Sequence, residues 1–162
     1  MILTHCHIDH VGGAAELRRR FGVRLIMHEL DAPAVEVADA KKTGASWYGI
    51  AFAPLPIDVH LTGEEKVLRF GDHDVVCLHT PGHTPGSISV YLNIDGKRVL
   101  FGQDIHGPFL KEFGADMTEW SASMQKLLAL KADILCEGHF GVYQPAHSVT
   151  DYIERYLDEY GE

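Results

Sequence analysis

Thr4-His5-Cys6-His7-Ile8-Asp9-His10-Val11-Gly12-Gly13 carries three imidazoles and one carboxylate within six positions, from His5 to His10. If the backbone is extended at the start of this stretch, His5 and His7 point the same way and Cys6 faces away, because side chains alternate along a strand. Asp9 and His10 then fall where the chain turns, with Gly12 and Gly13 giving backbone freedom. One short segment can thus offer two donors to one metal ion and two more to a neighbour. Imidazole nitrogen and carboxylate oxygen are donors that zinc, iron and manganese accept. A solvated loop does not need this composition, and an apolar core cannot take it unpaired.

Three later segments add donors of the same type. Thr80-Pro81-Gly82-His83-Thr84-Pro85-Gly86-Ser87 sets a histidine in a Pro/Gly-rich loop between two apolar runs. Phe101-Gly102-Gln103-Asp104 puts a carboxylate at the end of the strand-like run Arg98–Phe101, and Cys136-Glu137-Gly138-His139 puts a histidine after the apolar run Ala132–Cys136. The H-x-H-x-D-H stretch, the glycine-histidine loop, the aspartate and the final glycine-histidine, in this order, resemble the metallo-β-lactamase superfamily, as far as about Tyr143.

That resemblance implies two divalent metal ions per chain, zinc first, with iron or manganese as alternatives. His5, His7 and His83 would hold one; Asp9, His10 and His139 the other; Asp104 would bridge them. It also implies an α+β fold, the four-layer αββα sandwich, with the metals at one edge between the sheets. Catalytic sites keep an open metal position, and water shared by two cations loses its proton near neutral pH. Asp9 sits where a carboxylate can serve as ligand and as proton carrier for the leaving group. Superfamily domains normally place several strands before the first histidine motif, which here starts at the fifth residue. Residues 1–162 are therefore expected to form one domain, shortened at its N-terminus, with open strand edges and an exposed apolar face. A partner chain, including a second copy in a homo-oligomer, is the other way to cover that gap.

Fourteen basic against 23 acidic side chains give a net charge of −9. An acidic chain without a Lys/Arg cluster is a poor nucleic-acid binder, and Arg18-Arg19-Arg20 reads as the solvated face of a helix. No run is long and apolar enough to span a membrane. Cys6, Cys77 and Cys136 lack C-x-x-C spacing and cannot all pair, which favours free thiols and a cytoplasmic setting.

Helices are expected at Gly12–Phe21, with Ala14, Leu17 and Phe21 on its apolar stripe, at Leu30–Lys42, at Thr118–Leu130 with Thr118 as N-cap, and at Ser148–Tyr160. Strands are expected at Val23–Met27, Lys66–Phe70, His73–Leu78, Ile88–Asn93, Arg98–Phe101 and Ala132–Cys136, with turns at Gly71-Asp72 and Asp95-Gly96. Ala45–Asp58 reads as irregular.

Among the remaining histidines, His79 reads as structural, whereas His106, two positions beyond Asp104, touches substrate, orients a ligand or is plain loop structure. Trp47, Tyr48, Phe52, Phe109 and Phe113 line a substrate pocket, fill the core beneath a loop or bury a subunit interface. Trp47, Phe109 and His106 are the substrate-binding candidates.

The residues and the resemblance together point to a metal-dependent hydrolase acting on a small molecule with an ester-like bond. The histidine loop looks like that of the glyoxalase II-like and general hydrolase branches, which favours a thioester or lactone; nothing singles out a β-lactam. Two rivals stand. A persulfide dioxygenase resembles the chain in the same two loops and needs only His5, His83 and Asp104 around one iron. A non-catalytic metal-binding or interaction module is the rival from another class.

Overall fold

Leu25, Ile26 and Met27 show how the layers arise. Leu25 and Met27 pack with Leu3, Val11, Val35 and Ile57, while Ile26 points the other way, into a cluster with Leu61, Cys77, Ile88 and Val90. A strand that buries both faces has a layer on each side. The computed structural model, which describes residues 1–161, supplies both.

Strands β1 (Ile26–His28) and β2 (Val59–Leu61) form a small parallel sheet. Outside it lie helices α1 (Ile8–Val11), α2 (Ala14–Phe21) and α3 (Ala32–Glu36). The larger sheet runs in chain order through β3 (Glu65–Phe70), β4 (His73–His79), β5 (Ile88–Ile94), β6 (Lys97–Gln103), β7 (Ile134–Glu137) and β8 (Val142–Tyr143). Its pairings are antiparallel except β6 with β7, which α4 (Met117–Ala129) makes parallel by crossing over. Trp120, Met124 and Leu127 of α4 pack with Val149 and Ile153 of α5 (Ala146–Tyr160) over Leu100 and Leu135. The order is helix, sheet, sheet, helix: the expected αββα sandwich.

The departures from expectation are local. The helix expected over Leu30–Lys42 is cut to Ala32–Glu36. Ala38 turns left-handed at φ 53°, and Asp39 Oδ1 accepts from the Lys41 and Lys42 amides, both at 3.0 Å. A short polar side chain has thus replaced helical bonds with a turn. The cap of α4 is Asp116, whose Oδ1 accepts from Glu119 N–H at 3.0 Å, and not Thr118. On α2 only Ala14 is buried; Leu17 and Phe21 face solvent, because the narrow sheet beneath the helix covers no more of it. β2 and β8, three and two residues long, lie outside the expected strands; pairs this short carry no readable period.

Register aligns Cys77, Val90, Phe101, Cys136 and Val142 across one face of the large sheet. The small sheet covers the first two, whereas Phe101 is 42% exposed and Val142 60%. No helix among the described residues is long and apolar enough to cross a membrane.

Candidate metal centre

His5 and His7 stand on an extended segment leading into α1, with their rings edge to face at 4.7 Å. Cys6 points away into the core, where burial raises its thiol pKa far above the ordinary range. Asp9 and His10 project from α1 itself. His83 comes from the loop after β4, which lies hard against α4. Gly82, at φ 130°, leaves no room for a side chain beside the Trp120 backbone, and Ser123 Oγ donates to Pro81 O at 2.7 Å. Asp104 follows β6, where Gln103 turns left-handed and its Oε1 accepts the Asp104 N–H at 2.7 Å. His139 sits in the loop between β7 and β8.

These four segments bring all seven sequence-derived donors together in two groups. His5, His7, His83 and Asp104 form a buried cluster, and Asp9, His10 and His139 a more open one. In the first, His7 Nδ1 and His83 Nε2 are 2.9 Å apart, and Asp104 Oδ2 lies 3.4 Å from His83 Nε2 and 3.8 Å from His5 Nε2. In the second, His10 Nε2 is 3.2 Å from His139 Nε2, and Asp9 Oδ2 is 3.6 Å and 3.3 Å from them. Asp104 reaches this group too, 3.1 Å from His10 and 3.4 Å from His139.

Donors about 2.05 Å from a tetrahedral ion lie about 3.3 Å from one another, so both groups have the spacing of a coordination shell. His5 Nε2 is buried with no hydrogen-bond partner, an orphan that a cation would satisfy. The donor set fits two divalent ions.

Protonation separates the groups. Burial, helped by His83 and other imidazoles, holds His5 well below the ordinary histidine range. Burial lowers His7 as well, and burial with His7 pushes His83 down to about 3. Burial alone would lower His10 too, but the Asp104 hydrogen bond and the charges of Asp104, Asp9 and Glu137 raise it. In the metal-free protein the His10–Asp104 pair therefore stabilises the fold below about pH 6.5 and fades as pH rises through the raised value. A cation at the second group competes with the raised proton affinity of His10, whereas burial disfavours protons on the imidazoles of the first group. On acidification from pH 7 the second group is expected to lose a divalent cation before the first, as metal content after dialysis at each pH will register.

A cleft of about 270 Å³ opens over the donors, with His7, Asp9, Asp104 and His139 on its floor. Trp47, Tyr48, Phe113 and Phe140 wall it, and no lysine or arginine among the described residues lines it. Trp47 is half exposed, tilted against Phe113 at 4.9 Å. His106 borders the cleft with Nδ1 2.7 Å from Glu137 Oε1. Phe109 is not among the lining residues: it packs on Trp120 at 5.0 Å and Tyr160 at 5.5 Å, in the core cluster over the large sheet. His79 bonds Pro85 O through Nε2 at 2.9 Å and stacks on His28 at 4.0 Å.

Three participants were not singled out from sequence. Phe140 adjoins His139 and needed only that neighbourhood as a signal. Glu137, two positions before His139, and Asp31, far from every motif, are buried carboxylates bonded to the ligand loops.

Known proteins resemble this chain in sequence and fold. The chain is 34% identical over 103 residues to the probable metallo-hydrolase YqgX of Bacillus subtilis, covering 63% of this chain and 47% of YqgX. It is 31% identical over 157 residues to the hydroxyacylglutathione hydrolase GloC of Haemophilus influenzae, covering 88% of this chain and 68% of GloC. It thus spans about half of the first relative's length and two thirds of the second's. The crystal structure of the BLEG-1 B3 metallo-beta-lactamase superposes with a TM-score of 0.79 at 32% identity, covering 93% of this chain and 73% of that one. The family model of the metallo-beta-lactamase superfamily matches residues 1–139. With that match lying over the assembled donors, the chain belongs to the metallo-beta-lactamase superfamily.

Proposed function

We propose that this chain is a binuclear metallo-hydrolase that cleaves an ester-like bond in a small molecule, a thioester or lactone first. The observation that carries this reading is the second donor group. Asp9, His10 and His139 stand assembled beside the first four donors, and a mononuclear iron oxygenase would not need them. His5, His7 and His83 would hold one ion, Asp9, His10 and His139 the other, with Asp104 between them; zinc suits this nitrogen-rich set.

When bound, two such ions supply a hydroxide nucleophile at neutral pH and polarise the substrate carbonyl. The chain's own residues do the rest. Trp47, Tyr48 and Phe113 hold the substrate's apolar part by their faces and exclude water. Because no lysine or arginine lines the cleft away from the donor groups among the described residues, an acyl chain or aryl ring suits its walls better than a tail bearing carboxylates. Asp9, on the cleft floor and 39% exposed at its side chain, carries a proton on its carboxylate oxygen to the leaving group.

The test is metal analysis of protein purified without added metal, joined to a panel of thioesters and lactones. About two zinc per chain, with turnover lost to a chelator and restored by zinc, supports the hydrolase. One iron per chain with oxygen uptake on a persulfide would replace it with the dioxygenase, and absence of both metal and turnover with the binding module. Within the panel, Trp47→Ala should raise KM for the best apolar substrate about tenfold, the equivalent of about 1.4 kcal/mol of lost contact. As Trp47 is half exposed, its melting temperature should barely move. Lower stability with an unchanged KM would make Trp47 a packing residue instead.

A further inference from the structure

We propose that two buried carboxylates, Asp31 and Glu137, are positioning residues that each fix one donor group, so that the two cation sites are pre-organised independently. This rests on the two-site reading above.

Asp31 is 2% exposed and lies at the start of α3. Its Oδ2 accepts from Cys6 N–H at 2.9 Å and from Thr84 Oγ1 at 2.7 Å, and its Oδ1 accepts from Gly86 N–H at 2.7 Å. Cys6 separates His5 from His7, and Thr84 follows His83. One carboxylate therefore ties together the two loops that supply all three imidazoles of the first group. The loop is pressed onto it so closely that a Cβ on Gly86 would meet Asp31 Cβ and Cγ at 2.7 Å. Thr84 Oγ1 also lies 2.7 Å from Ser87 Oγ, which holds the threonine in place.

Glu137 does the same for the other group. Its side chain is fully buried at the end of β7. Oε2 accepts from His139 N–H at 2.7 Å and Phe140 N–H at 2.8 Å, and Oε1 pairs with His106 Nδ1 at 2.7 Å. The turn that carries His139 is thus wrapped on a carboxylate, which sets His139 Nε2 beside His10 and turns His106 to the cleft. Among the described residues, Asp31 makes no hydrogen bond to the His139 loop, and Glu137 makes none to the His5–His7 segment or the His83 loop. Groups that orient metal ligands from outside commonly change affinity by about 10–100-fold when replaced; here each should act on one ion only.

The experiment measures zinc affinity of the full chain by chelator competition in two backgrounds. His139→Ala leaves the first group intact, and His83→Ala leaves the second. Asp31→Asn should weaken zinc about 10–100-fold in the His139→Ala background and leave the His83→Ala background unchanged. Glu137→Gln should do the reverse. If Asp31→Asn does not fold, Thr84→Val removes a single donor and should still weaken only the first group, several-fold. If Glu137→Gln does not fold, the shorter Glu137→Asp is read in the same way. Equal weakening in both backgrounds, or none in either, overturns the proposal. Wild-type protein that binds fewer than two ions would instead defeat the two-site reading, and this is seen before any variant is made.

Discussion

Asp104→Asn is expected to lower kcat/KM about 10³-fold and to cut the zinc content of both donor groups. Asp104 is the one side chain common to both, with its oxygens 3.1–3.8 Å from ring nitrogens of His5, His10, His83 and His139. The substitution keeps the shape and removes the charge. Two cations would then share a site whose only anionic donor is the half-exposed Asp9, and cationic repulsion is no longer offset. A thousandfold loss corresponds to about 4 kcal/mol of transition-state stabilisation, within what bound metal ions contribute by Lewis-acid and nucleophile chemistry. Elemental analysis and steady-state kinetics on the same preparation check both halves. A variant that keeps two zinc ions and wild-type turnover removes the bridging role.

Asp9→Asn is the second large effect. At saturating zinc, kcat should fall about 10²-fold with KM nearly constant, the size expected when a proton donor in the transition state is lost. Asp9 Oδ2 is 3.3 Å from His139 Nε2 and 3.6 Å from His10 Nε2, so zinc affinity of the second group should fall as well. Working at saturating zinc separates the two contributions. With 39% of its side chain exposed, Asp9 contributes little to packing, and the melting temperature should stay near wild type. Full turnover with both ions retained would show that the leaving group departs without this carboxylate.

The donor set was legible because each motif reports its own local geometry. His5 and His7 alternate around Cys6, and Asp9 and His10 follow at the turn, which is a property of six consecutive residues. Most strands were legible for a similar reason: β3 to β6 are amphipathic runs joined by turns at Gly71-Asp72 and Asp95-Gly96, where both glycines adopt positive φ. The C-terminal helices carry apolar residues at helical spacing. Phe109 was left open between pocket and core because an aromatic three residues past His106 looks the same in sequence whether it faces a cleft or the core. Leu17 and Phe21 were misjudged because a helical stripe states what a helix can bury, not how wide a sheet lies beneath it.

The chain's order of residues determined on its own which atoms can bind a cation, which runs become strands and helices, and the acidic charge of the whole. Donor chemistry, alternation and turn preference act over a few neighbouring residues, so they can be read one segment at a time. Only the tertiary structure decided that four loops meet at one edge, that Trp47 faces the cleft while Phe109 faces the core, and that Asp31 and Glu137 hold the loops in place. Asp31 contacts residues 25, 53 and 55 positions away, and no local pattern encodes a partner at that distance. Long-range hydrogen bonds become visible once packing has paired the segments.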